Sequence, residues 1–341
     1  MPDVIRSGLL AAALLVPNLL VPGVTEARPT PPGAPTHQEI AQHRAALIAQ
    51  CPMPPQIDDA EAAKLPIHVT RWGTTGPRVL IIHGGVQGGA GGGPATFAKQ
   101  EAWGEQGWRV EVVDRPGFGK SPTRGVDDME RDAIWISGML GDGANLIGHS
   151  WGGMEALLAA ARRPQAVLSL VLVEPALAGV LNAEPELRDN PAVREGGIQR
   201  LRILMAAKTP ADYGRGFINM LGSAAEGNAA AARFEQNPGL AMRSGCALLQ
   251  GRIASDTATR HAIETVARAH IPVLIVTGGY SPAFEASADV LARLTGGRHI
   301  VVRSPNHFVQ MMNPADFNRE VGAFMREADS RRASGAAPPL R

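Results

Sequence analysis

Six short apolar runs alternate with helical segments, and no other feature of this chain limits its fold as strongly. They lie at residues 78–82, 108–113, 145–147, 167–173, 272–276 and 299–302. The runs are apolar on both alternate sets of positions, which marks strands covered on two faces, as in a parallel sheet. Helical spacing appears between them, as at residues 154–163 and 317–327. Alternation of this kind predicts an α/β architecture, a doubly wound and mostly parallel sheet. Ligands of such sheets bind at the carboxyl ends of the strands. His83, Ser150, Glu174 and His307 all fall there. Residues 176–262 break the rhythm, with helical spacing, many charges and no comparable strand. They are expected to form an inserted helical cap between two core parts, residues 67–175 and 263–329.

Lys and Arg total 33 against 32 Asp and Glu, a net charge of +1. That balance argues against a nucleic-acid partner. No apolar stretch reaches the roughly 20 residues of a membrane-spanning helix. Arg6, the apolar residues 8–20 and the small residues Thr25 and Ala27 fit a secretory signal over residues 1–27. The expected location is therefore secreted or periplasmic. Residues 28–66 read as an N-terminal extension that opens on Pro29, Pro31, Pro32 and Pro35. Residues 330–341 read as a disordered tail. Cys51 and Cys246 are the two cysteines. An oxidising compartment allows them to pair, but spacing alone does not decide it. Neither lies in a CxxC, so a zinc or redox site is not indicated.

Gly148-His149-Ser150-Trp151-Gly152 fits G-x-S-x-G, follows a strand-like run and opens a helical one. A serine between strand and helix sits on a sharp turn, with its hydroxyl held above the sheet at a helix start. The flanking glycines avoid collisions that a Cβ would cause. This segment resembles the nucleophile elbow of the α/β-hydrolase superfamily. His83-Gly84-Gly85 is similar to its oxyanion loop. Asp114-Arg115-Pro116-Gly117-Phe118-Gly119-Lys120-Ser121 resembles the turn after the next strand in epoxide-hydrolase-like and carbon-carbon-hydrolase-like branches. The resemblance covers roughly residues 67–327, the cap excepted.

A serine hydroxyl needs a base to take its proton, and His307, after the last strand-like run, is the candidate. His83 and His149 adjoin motif glycines and are expected to hold loops by hydrogen bonds. His37, His43, His68, His261, His270 and His299 read as surface or packing residues. The acid departs from the commonest family pattern. After Gly278 come Gly279, Tyr280 and Ser281, and position 281 offers no anion. Some members carry the acid after the family's sixth strand, and Glu174 stands there. A carboxylate ending an apolar strand is costly to bury without a partner; a histidine N–H is such a partner, fixing its tautomer. Glu285 and Asp289 are alternatives.

The expected oxyanion donors are the backbone N–H groups of Trp151 and Gly85, or Val86 if the turn is shifted by one. The Trp151 ring is expected at the acyl pocket or packed on the elbow. Residues 84–93 hold seven glycines, but a dinucleotide fingerprint fails at Pro94 and Thr96, and a P-loop fails at Asp114. Asp114 and Arg115 are expected to pin their turn.

The resemblance implies a serine hydrolase that cleaves small-molecule carboxylic esters through an acyl-enzyme, with no cofactor and no metal. Amide, peptide or carbon-carbon cleavage is the alternative. A prolyl-aminopeptidase-like chemistry would need an amine-binding acidic cluster in the cap, such as Glu184, Glu186 or Glu235. A non-catalytic ligand-binding protein on the same fold is the third reading.

Overall fold

The computed structural model describes residues 35–85, 91–176, 181, 183–223, 232 and 234–334. The signal-like residues 1–27, the alternative donor Val86 and the last seven residues of the tail lie outside the described residues.

Seven strands form one sheet: β1 (Val69–Trp72), β2 (Arg78–Ile82), β3 (Arg109–Val113), β4 (Ala144–His149), β5 (Val167–Val173), β6 (Val273–Thr277) and β7 (Arg298–Val301). The order is β1-β3-β2-β4-β5-β6-β7. Every pairing is parallel except β1 with β3. The parallel strands are the six apolar runs. β1 was not among them, because Val69-Thr70-Arg71-Trp72 is a partly exposed edge with a charged residue in the middle.

Alternation sorts the strand side chains into two layers. Leu80, Ile82, Leu146, Leu170, Leu172 and Ile275 pack under helices Met129–Met139, Trp151–Arg162, Asp256–Arg268 and Pro282–Thr295. Val79, Ile81, Val112, Ile147, Val171 and Val276 face the other way, toward Phe97, Trp103 and the helix Pro314–Ala333. Each such side chain is worth about 1.5–3 kcal/mol when fully buried.

Two boundaries differ from expectation. The helix Asp256–Arg268 straddles residue 262, and its Ala262, Ile263 and Val266 belong to the sheet layer. Ser255 caps it by accepting from the Ala258 N–H at 3.2 Å. The chain thus re-enters the core layer at Ser255, ahead of the expected end of the cap. The last helix runs to Ala333, past residue 330. The expected N-terminal extension, residues 28–66, holds the helices His37–Ile48 and Asp59–Lys64 in its described part. Thr36 and Glu39 form a capping box that starts the helix His37–Ile48. Its Ile40 and Leu47 pack on cap residues Leu204, Tyr213 and Leu249. Cys51 and Cys246 are bonded, with Cα atoms 5.5 Å apart, so the extension is joined to the cap helix Pro238–Gln250. Among the described residues no helix is long and apolar enough to cross a membrane.

Candidate active site

Ser150 is the turn between β4 and the helix Trp151–Arg162, at φ 54° and ψ −119°. A non-glycine residue there is strained by roughly 1–3 kcal/mol and persists only where its surroundings hold it. They do so here. The Ser150 N–H donates to the Val173 carbonyl at 2.9 Å, and the Ser150 carbonyl accepts from the Gly153 and Ala176 N–H groups at 2.9 Å each. The two flanking glycines are required by space. A Cβ at Gly148 would lie 2.3 Å from the Gly152 carbonyl oxygen, and one at Gly152 would lie 2.3 Å from that of His83.

Glu174 follows β5, the strand hydrogen-bonded beside β4, and corresponds to the position after the family's sixth strand. It too has positive φ, 41°. Its carboxylate is fully buried and has three partners. Oε1 accepts the Gly278 N–H at 2.8 Å. Oε2 accepts the Tyr280 hydroxyl at 2.8 Å and His307 Nδ1 at 2.6 Å. The turn after β6, where the commoner acid would stand, therefore supplies two donors to Glu174. Burial and the adjacent carboxylate hold the Tyr280 hydroxyl well above its ordinary range, so it stays a donor. The bond to Glu174 places the His307 proton on Nδ1. That leaves Nε2 able to accept, and Nε2 is buried without a hydrogen-bond partner among the described residues. His307 and Ser150 line one cavity.

The alternative acids sit elsewhere. Glu285 accepts from the Thr277 hydroxyl at 2.6 Å and the Gly279 N–H at 2.9 Å, and pairs with His299 at 3.4 Å. Asp289 pairs with the same imidazole at 2.7 Å.

Gly85 lies against Trp151: a Cβ on Gly85 would be 3.4 Å from the Trp151 Cβ. Both line the cavity. The Trp151 N–H begins its helix, so it has no acceptor within that helix. Behind this pair, His83 is buried and accepts the Arg115 N–H on Nε2 at 3.0 Å. Its proton is therefore on Nδ1, 2.8 Å from the Gly84 carbonyl. Burial first, and the Arg115 charge second, push His83 down to about 3. His149 contacts the His307 carbonyl through Nε2 at 2.9 Å. Burial and the neighbouring His307 hold it well below the usual imidazole range. Both rings brace backbone, as their positions beside motif glycines suggested.

Asp114 and Arg115 pin more than their own turn. Asp114 accepts the Gly93 N–H at 2.8 Å and the Lys120 N–H at 3.0 Å, and pairs with His68 at 2.9 Å. A Cβ at Gly92 would fall 1.8 Å from Asp114 Oδ1, which explains glycine at that end of the loop. Arg115 is fully buried. It pairs with Glu155 at 2.6 Å, with Asp127, and with Asp132 at 3.7 Å, and reaches the Gly84 carbonyl at 3.4 Å. One guanidinium thus links the loop at Gly84 to the helix that follows Ser150. Burial raises all three carboxyls, Asp132 to about 7. Asp127, Asp132 and Glu155 are too far apart in sequence to have been read as a group.

The cavity holds about 140 Å³, close to one known to admit a single aromatic ring. Trp151, Phe217, Leu248 and Phe284 are among its walls, and Arg200 and Tyr213 reach it from the cap. No carboxylate lines it among the described residues. The cap acids are engaged outside it: Glu184 with Arg260 and Arg293, Glu186 with Arg293, and Glu235 with Arg215. They do not form the amine-binding cluster that aminopeptidase-like chemistry would need. Sequence reasoning passed over Tyr280 and Arg200. The place of Tyr280, in the turn of the commoner acid, was a usable signal; nothing marked Arg200.

A family model for the alpha/beta hydrolase fold matches residues 77–314, and the chain belongs to that family. It is 34% identical over 117 residues to a lipase, LipV, of Mycobacterium tuberculosis, covering 33% of this chain and 42% of that protein. It is 32% identical over 125 residues to a 2-hydroxy-6-oxononadienedioate/2-hydroxy-6-oxononatrienedioate hydrolase of Comamonas testosteroni, covering 35% of this chain and 43% of that one. The chain thus spans less than half the length of these curated relatives. A solved meta-cleavage product hydrolase from Pseudomonas fluorescens shares the fold, with a TM-score of 0.55 at 19% identity, covering 78% of this chain and 96% of that one.

Proposed function

We propose that this protein is a serine hydrolase acting on carboxylic esters of small molecules. Ser150 Oγ attacks the acyl carbon while His307 Nε2 takes its proton. Glu174 keeps the imidazole in the required tautomer and offsets its charge as it becomes an imidazolium. The N–H groups of Gly85 and Trp151 donate to the oxyanion as the carbonyl bond opens. His307 returns the proton to the leaving alcohol, and an acyl-enzyme remains on Ser150. Water then attacks that acyl group, giving its proton to His307, and the acid leaves as Ser150 recovers its own. No cofactor enters this cycle.

One observation carries the reading: His307 is anchored to a buried carboxylate through Nδ1, its Nε2 has no hydrogen-bond partner among the described residues, and it lines one cavity with Ser150. The absence of a carboxylate from the described cavity lining favours esters over substrates with a free amine. The test is mass spectrometry after reaction with a fluorophosphonate, beside rates on short acyl esters and N-terminal-proline amides. Labelling at Ser150 with ester turnover supports the proposal. No labelling favours a binding protein, and faster amide turnover favours the peptidase reading.

Export is part of the proposal. The signal-like residues 1–27 and the Cys51–Cys246 bond support an oxidising destination. Cell fractionation with N-terminal sequencing of the mature protein tests it; an intact Met1 in the cytosolic fraction would reject it.

A further inference from the structure

Arg200 stands on the cap helix Pro191–Ala206 and lines the same cavity as Ser150 and His307. Its Nε is closed off from solvent and has no hydrogen-bond partner among the described residues. It forms no ion pair with any described Asp or Glu. Other arginines of the cap region are engaged: Arg202 pairs with Glu195 at 3.1 Å, Arg215 with Asp212 at 2.6 Å, and Arg44 donates to the Leu249 carbonyl. Burial pulls Arg200 below the ordinary guanidinium range, and the nearby Tyr213 works in the opposite direction. Tyr213 also lines the cavity, and its hydroxyl makes no hydrogen bond among the described residues.

A partly buried cation whose Nε is shut off from water, with no counter-charge among the described residues, is costly, and an anion lowers that cost. The rest of the lining offers none. Two donors, a planar guanidinium fork and a phenol, thus line the same largely apolar chamber as the candidate nucleophile. A carboxylate matches such a fork with two parallel hydrogen bonds.

Resting on the ester-hydrolase reading, we propose that Arg200, with Tyr213, binds a carboxylate on the acyl part of the substrate. The substrates are then half-esters of short dicarboxylic acids, or esters of similar anionic acyl groups. Arg200 acts as a specificity residue. It holds the far end of the acyl chain while Ser150 attacks the near end.

Two measurements test this. The first compares kcat/KM for mono-4-nitrophenyl glutarate and 4-nitrophenyl pentanoate. The wild type should prefer the charged ester by at least about tenfold, and Arg200→Gln should reduce that ratio by at least about tenfold. Arg200→Lys, which keeps a cation, should retain part of the preference. No preference in the wild type, or an unchanged ratio in Arg200→Gln, overturns the proposal.

The second measurement needs no turnover. Pentanoate at tens of millimolar should raise the wild-type Tm by about 2–4 °C more than pentanamide does. Arg200→Gln should abolish the difference. Equal shifts in the wild type, or a difference surviving in Arg200→Gln, overturn the proposal. Should Arg200→Gln fail to fold, the two wild-type comparisons still decide. Failure of Ser150 labelling and of both esters would sink the hydrolase reading, while the pentanoate arm would still report on the anion site.

Discussion

Glu174 Oε2 lies 2.6 Å from His307 Nδ1, and the same oxygen accepts the Tyr280 hydroxyl. Glu174→Gln keeps the shape but removes the charge that would steady the imidazolium. Its kcat on a 4-nitrophenyl ester should fall by about 100- to 10,000-fold. Glu285→Gln should cost less than about tenfold, because Glu285 serves Thr277, Gly279 and His299 instead. Steady-state rates on both variants check this, and the reverse ranking would move the acid to Glu285.

Ser150 couples chemistry to strain. Ser150→Gly removes the proposed nucleophile and relieves the positive φ at that turn. The variant should lose fluorophosphonate labelling and ester turnover entirely. It should also be more stable than the wild type, by about 1 kcal/mol. Chemical denaturation reads the second effect. A less stable variant would mean that the turn is not strained as its angles indicate.

Asp132 gives the fold a specific pH dependence. Burial, and next the charge of Asp127, raise its carboxyl to about 7 from 3.8. Between those values the folded protein holds a proton that the unfolded chain has released. The stability this group contributes is therefore present at low pH and is lost as pH rises from about 4 to about 7. Asp132→Asn is neutral throughout and keeps an oxygen for the Trp135 indole N–H. The stability of the variant relative to wild type should grow across that window. The growth should reach a few kcal/mol in all, at about 1.4 kcal/mol for each pH step of one within the window. Urea titrations at pH 4.5, 5.5 and 7.5 measure it; a constant difference would refute the assignment.

Reduction of the Cys51–Cys246 bond should destabilise the protein by about 2–4 kcal/mol, since it closes a long loop of 195 residues' separation. The helix His37–Ile48 should become the first segment cut by a protease, because a small apolar cluster and the cap contacts of His43 and Arg44 then hold it without a covalent link. Limited proteolysis with and without reductant checks both points. Equal cutting in the two states would show that the bond adds little.

Much of the sheet was legible because burial on two faces writes itself as uninterrupted apolar runs. β1 was illegible for the opposite reason, being a partly exposed edge. β4 extends past Ile147 to His149, where its last residues were chosen for the elbow and not for strand propensity. Ser150, Glu174 and His307 could be named because each follows a strand end, where the fold gathers side chains. The cluster of Asp127, Asp132 and Glu155 around Arg115 could not, since three dimensions and not spacing bring them together. Arg200 was hidden more deeply. On a charged helix a solvated arginine and one facing an apolar chamber look alike in sequence; only cap packing distinguishes them.

The cavity's ceiling is leashed. A helix lying before the sheet begins is packed on the cap and covalently fastened to its Pro238–Gln250 segment. Any tug on the chain ahead of His37 is therefore transmitted to a helix whose Leu248 lines the cavity. Tags, surface tethers or fusions attached at that end are mechanically connected to the cavity wall, whereas attachments past Ser334 pull on a helix beneath the opposite layer of the sheet.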